Sequence, residues 1–164
     1  MFCSFIDDCH DKIEMALLID TSSSYGEGDK WTNVKLFVEQ FLSYYAIDAN
    51  KTQLGVITYS NETNILFGLH DKEYQTLDAA KSAIDEALVD IEPGRHPWTE
   101  KALIKAHDVM FRKPPPKNKQ RVLFVFTGGT TPNPHLYEEI VPSLEVRELK
   151  CSFSFRYCLL RRYL

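Results

Sequence analysis

The sequence predicts an α/β, doubly wound fold with a mostly parallel central sheet and one antiparallel edge strand. Three observations carry that expectation. Short aliphatic runs at 13–19, 53–59 and 121–126 alternate with helical patterns, which is the order of strand–helix–strand units. The runs are mostly aliphatic rather than alternating, as suits strands covered by helices on both faces. The polar link Ser60-Asn61-Glu62 is too short for a crossover, so the two strands it joins pair antiparallel.

The first strand, Ile13 to Ile19, runs directly into Asp20-Thr21-Ser22-Ser23-Ser24. That loop lies at the carboxyl end of a buried strand, where open α/β sheets bind ligands. Alternate positions 20, 22 and 24 offer one carboxylate and two hydroxyls, hard oxygen donors suited to magnesium or calcium. Ser and Asp also serve as helix caps and turn residues, so a plain strand-to-helix turn is the competing reading. From Trp31 to Ala46, Val34, Phe37, Val38, Phe41, Leu42 and Tyr45 follow the spacing of an amphipathic helix. Gln53 to Tyr59 and Thr63 to Leu69 read as the second and third strands. A second helical pattern uses Leu77, Ala80, Ile84, Ala87, Leu88 and Ile91, and stops at Glu92-Pro93-Gly94. After the loop Arg95-His96-Pro97-Trp98, Thr99 is placed to cap a third helix bearing Ala102, Leu103, Ala106, Val109 and Met110, which ends before Pro114-Pro115-Pro116. Arg121 to Phe126 is the fourth strand and ends at Thr127-Gly128-Gly129-Thr130-Thr131-Pro132. A weak helix from about His135 and a last strand near Cys151 to Tyr157 complete the order. Parallel strands then gather three loops at one sheet edge: Asp20 to Ser24, Gly94 to Thr99, and Thr127 to Thr131.

At 164 residues the chain suits one domain with an adequate core. A hydrophobic share of 44% excludes a disordered chain, and a net charge of -4 supplies no basic stripe for nucleic acid. No apolar stretch approaches the ~20 residues of a membrane span, and no signal-like segment precedes Asp7-Asp8. Cys3, Cys9, Cys151 and Cys158 lie toward the two ends. Their distribution suits a staple between the termini, with three pairings open, and free thiols are the alternative. The sequons Asn50-Lys51-Thr52 and Asn61-Glu62-Thr63 mark Asn50 and Asn61 as glycosylation candidates on connecting loops and favour an extracellular or cell-surface location within a larger protein.

Five segments in this order resemble the von Willebrand factor type A domain, which is also the inserted domain of integrins and occurs in collagen VI. They are Ala16 to Ser24, Val34 to Val38, Leu54 to Ser60, Thr99 to Leu103, and Val122 to Thr127. The resemblance divides the chain into a cysteine-containing flank at 1–11, the domain at 12–157 and a tail at 158–164. It implies a metal-ion-dependent adhesion site in which Ser22 and Ser24 are direct ligands of magnesium and Asp20 supplies charge. A carboxylate of the partner completes the coordination. Two positions depart from the pattern. The family's second aspartate falls at Gly128, and its metal-binding threonine at Pro97, leaving Thr99 as the candidate in that loop. Fewer formal charges imply magnesium that binds weakly or only with a partner's carboxylate present. The family would also continue past Cys151 through a strand, a helix and an edge strand, so a chain shortened at its C-terminus is expected, with a bare sheet edge unless another segment covers it.

The function expected is an extracellular protein-binding module of the adhesion or matrix type. The alternative is a metal-independent scaffold domain of a multiprotein complex. An enzyme is not expected, because no Gly-x-Ser-x-Gly elbow, phosphate-binding loop or Cys-x-x-Cys pair is present. Trp98 is the candidate partner anchor, with folding back onto the third helix as its other fate. His96 adjoins the site and is placed to tune partner binding with pH.

Overall fold

The computed structural model describes residues 12–25, 30–89, 91–114, 116, 119–129, 145–150 and 156–162. In chain order the elements are β1 (Lys12–Asp20), α1 (Lys30–Leu42), β2 (Thr52–Tyr59), β3 (Thr63–Phe67), α2 (Leu77–Val89), α3 (Thr99–Met110), β4 (Lys119–Thr127), β5 (Glu145–Lys150) and β6 (Arg156–Arg162). The sheet order is β3-β2-β1-β4-β6-β5. β1 lies parallel to both β2 and β4, and β3 is antiparallel to β2, which is the expected mixed sheet with its antiparallel edge.

The alternation of side chains along β1 explains why helices cover both faces. Ile13, Met15, Leu17 and Ile19 pack with Val34, Val38 and Leu42 of α1 and with Ala80, Ile84 and Leu88 of α2. Ala16 and Leu18 face the other way, onto Ala102, Leu103, Ala106 and Met110 of α3. Phe41 anchors α1 to β4 through edge contacts with Phe124 and Phe126, at ring-centroid separations of 4.6 and 5.5 Å. The chain thus steps from β1 outward to β2 and β3 on one side and returns to β4 on the other, with α1 and α2 on one face and α3 on the opposite one. That makes β1/β4 the switch point, and the crevice outside their carboxyl ends is where such sheets bind ligands.

Three differences from the sequence reading have physical causes. α1 closes at Leu42, not Ala46, because Tyr44 and Tyr45 donate to Phe41 and Leu42, three residues back, tightening the last turn. Thr99 does not cap α3: Trp98 holds the cap position without a side-chain bond, and Thr99 is the first helical residue. Finally, β4 has a neighbour. β6 pairs antiparallel with β4 from Arg121↔Arg162 to Thr127↔Arg156, and β5 pairs antiparallel with β6. This hairpin is a covering segment of the kind on which a bare edge depended, and it pairs the backbone edge of β4. The helix expected from His135, and Cys3, Cys9 and Cys151, lie outside the described residues.

Candidate functional site at the carboxyl end of β1 and β4

Asp20 closes β1 and is fully buried, at 0% exposure. A carboxylate so placed must be met by donors. Its Oδ1 accepts the Ser22 N–H at 2.7 Å, the local turn that Asp favours. Its Oδ2 accepts the Thr127 hydroxyl at 2.9 Å and the Gly128 N–H at 3.1 Å, both at the end of β4. The switch point is therefore bridged by one carboxylate with three donors.

Ser22 is buried and Ser24 half-buried, and their hydroxyl oxygens lie 2.7 Å apart. Ser22 Oγ also accepts the Ser24 N–H at 3.3 Å, so one tight turn presents Asp20, Ser22 and Ser24 together. A backbone bridge ties this turn to the 94–99 loop. Ser23 N–H donates to the Gly94 carbonyl at 2.7 Å, and Gly94 N–H donates to the Thr21 carbonyl at 3.2 Å. Gly129 presses on the same place from the third loop: a Cβ there would sit 2.5 Å from Ser24 Oγ, 2.8 Å from Ser24 Cβ and 3.5 Å from Pro97 Cγ. The three loops expected to converge are in mutual contact.

Thr99 is buried, and its hydroxyl donates toward the Tyr59 hydroxyl at 3.3 Å and the Pro97 carbonyl at 3.4 Å. Pro97 is buried and offers no side-chain oxygen. Trp98 is half-buried with Lys101 Nζ 4.1 Å from its ring centroid, so it packs back along the start of α3 through a cation–π contact. His96 is exposed. Its N–H donates to Asn61 Oδ1 at 3.1 Å, and Trp98 N–H donates to the Ser60 carbonyl at 3.3 Å. The β2–β3 turn is thus a fourth member of the rim. The sequence carried one hint of it, the very short link between strands that ends it beside Tyr59. Asn50 is exposed at the other end of β2, and Thr130 lies outside the described residues.

The donor set can be weighed against a metal. Among the described residues no three His, Cys, Asp or Glu side chains gather, so any ion here depends on hydroxyls. Asp20, Ser22 and Ser24 fit a hard divalent cation in donor type, and Thr127 adds a fourth oxygen beside Asp20. They supply one formal negative charge, and that carboxylate already holds three donors. The set fits a weak ion better than a tight one.

The sequence profile of the von Willebrand factor type A domain matches residues 14–153. The chain belongs to that family. This vWA chain is 35% identical over 78 residues to the human collagen alpha-5(VI) chain, a match covering 47% of this chain and 3% of that relative. Among solved structures it resembles proximal thread matrix protein 1 of the mussel byssus, with TM-score 0.56, 24% identity, and coverage of 65% of this chain and 27% of that one. A second structure of the same mussel protein, described as having a zinc-occupied MIDAS motif, matches with TM-score 0.57 at 24% identity, again over 65% and 27% of the two chains. The vWA chain thus spans a small part of the relatives it matches. No helix among its described residues is long and apolar enough to cross a membrane.

Proposed function

We propose that this vWA domain is a protein-binding module of an extracellular or cell-surface protein, acting in adhesion or matrix assembly through the loops at the carboxyl end of β1 and β4. One observation carries the reading: Asp20, Ser22 and Ser24 are gathered in a single turn at the topological switch point, with the 94–99 and 127–129 loops packed against them. Similarity to a collagen chain and to a byssal thread matrix protein supports the matrix setting. The module binds and needs no catalytic group.

Magnesium is the ion this reading assigns to Asp20, Ser22 and Ser24, with Thr99 as a candidate once Pro97 is passed over. When bound, the ion supplies an open coordination position for a carboxylate of the partner. The protein's own part is to hold the hydroxyl pair and the carboxylate in one turn and keep them largely out of water, where charge–charge attraction is stronger. Trp98 and His96 lie on the rim as partner contacts. The alternative is metal-independent recognition by a scaffold domain. The three donors on Asp20 favour it, since they satisfy the carboxylate without an ion.

Calorimetric titration of magnesium and manganese into the chain tests the choice. Saturable binding that disappears in Asp20→Ala and Ser22→Ala is the result expected. An absence of binding at millimolar metal removes the preformed half-site and leaves metal-independent recognition.

A further inference from the structure

Two sequons sit at opposite ends of the same strand, and only one touches the binding rim. Asn50 lies in the turn before β2, its N–H bonded to Asp48 Oδ1 at 2.7 Å. Asn61 lies two residues past Tyr59, which closes β2 and pairs with Asp20. The eight residues of β2 separate the two positions by about 26 Å at roughly 3.3 Å per residue. Both asparagines are exposed. Asn61 alone reaches into a functional loop, through the bond from His96 N–H to its Oδ1 at 3.1 Å.

We propose that Asn61 is a glycan-acceptor site whose sugar screens the 94–99 loop, so that modification there governs macromolecular access to the binding rim. The proposal rests on the extracellular reading above. In the transfer, Asn61 Nδ2 attacks the anomeric carbon of a lipid-linked oligosaccharide diphosphate. The carbon–oxygen bond to the diphosphate breaks, the amide loses one proton, and the lipid diphosphate leaves. The acceptor oxygen Oδ1 takes no part, so its bond to His96 N–H survives modification. The sugar is then tethered to the loop it covers. A glycan on Asn50 would stand at the far end of β2 and leave the rim open.

Arg95 supplies the readout, because it is exposed in that loop and its peptide bond to His96 is a tryptic site next to the Asn61 contact. The chain is expressed through the secretory route of a eukaryotic cell, occupancy at each sequon is measured by peptide mass spectrometry, and limited trypsin cleavage after Arg95 is followed. Thr63→Ala removes the sequon while keeping the Asn61 side chain and its hydrogen bond, and Asn50→Gln is the control. The expected result is a glycan on Asn61, loss of cleavage after Arg95 in the wild type and in Asn50→Gln, and its return in Thr63→Ala. Wild-type protein deglycosylated enzymatically after folding gives the same return and guards against a folding defect in the variant. An unmodified Asn61, or equal cleavage with and without its glycan, overturns the proposal. Neither outcome involves an ion or a partner, so the half-site reading stands or falls separately on the metal titration.

Discussion

Asp20 shows how one residue can be read both as a metal ligand and as a structural bridge. Its two oxygens hold the Ser22 N–H, the Thr127 hydroxyl and the Gly128 N–H, and so lock β1, β4 and the first loop together. The residue that decides between the readings is Gly128, where the family pattern places a second aspartate. Gly128→Asp sets a like charge beside Asp20, which destabilises the metal-free protein and makes a cation the means of relief. The expected outcome is a lowered midpoint of urea unfolding without metal and tighter manganese binding by calorimetry. At metal concentrations about 100 times the dissociation constant, mass action returns roughly 2.7 kcal/mol of stability. A variant that is destabilised yet gains no affinity would show that the hydroxyl pair cannot serve as ligands. Gly129 is constrained by space alone. A Cβ 2.8 Å from Ser24 Cβ meets the stem of a side chain, which cannot swing aside. Gly129→Ala should therefore cost about 1–3 kcal/mol in denaturant unfolding, the usual range for overpacking, and should widen the turn that aligns Ser22 with Ser24.

At the scale of elements, the sequence was legible wherever periodicity reported burial, and silent wherever a long-range polar contact finished the job. β1, β2, β4 and the helices were visible because Ile, Val, Leu and Phe recur at strand or helix spacing. Nothing local to Gln75 announces that its amide replaces a strand. Yet Gln75 Oε1 accepts the Leu54 N–H at 2.9 Å and its Nε2 donates to the Leu54 carbonyl at 2.9 Å, just where β3 no longer pairs with β2. Gln75→Ala strands both groups of a buried residue, at about 1–3 kcal/mol for each unsatisfied group, so the unfolding midpoint should fall while the m-value stays constant. The buried pair Glu14–Arg121 was equally hidden, its members 107 residues apart and 2.7 Å from each other. Arg121 also donates to the Phe111 and Lys113 carbonyls, tying the end of α3 to β4. Arg121→Met leaves the Glu14 carboxyl without its partner in a dry site and should cost about 3–5 kcal/mol, with Glu14→Leu in the same chain recovering much of the loss. Simple addition of the two single costs, measured by urea unfolding, would refute that coupling. At the candidate site the same division holds: Asp20, Ser22 and Ser24 could be named from one short motif, whereas the turn at Ser60-Asn61 joined the rim through the Ser60 carbonyl and the Asn61 side-chain oxygen, long-range contacts that no local pattern announces.

For the molecule as a whole, the sheet order places the functional end on its most protected strand. β1 has neighbours on both edges and helices on both faces, and Met15 to Ile19 are fully buried. Among the described residues β3 has one neighbour, and it exposes Asn64 and Ile65. Local opening draws on elements with few buried contacts, while the centre of a core opens only on global unfolding. Backbone amides of Leu17 to Ile19 should therefore exchange at the global unfolding free energy, and those of β3 several kcal/mol more easily, by roughly one order of magnitude in protection per 1.4 kcal/mol. Asp20 inherits the rigidity of the strand that ends in it, whereas Ser60 and Asn61, which hold the 94–99 loop, precede the more labile β3. Hydrogen exchange followed by mass spectrometry gives the comparison directly. Equal protection in β1 and β3 would mean that the sheet opens as one unit, and the rim would then be as rigid as the Asp20 turn. The unequal protection expected from the topology makes the 94–99 loop and the β2–β3 turn the parts free to adjust to a partner, around a carboxylate that does not move.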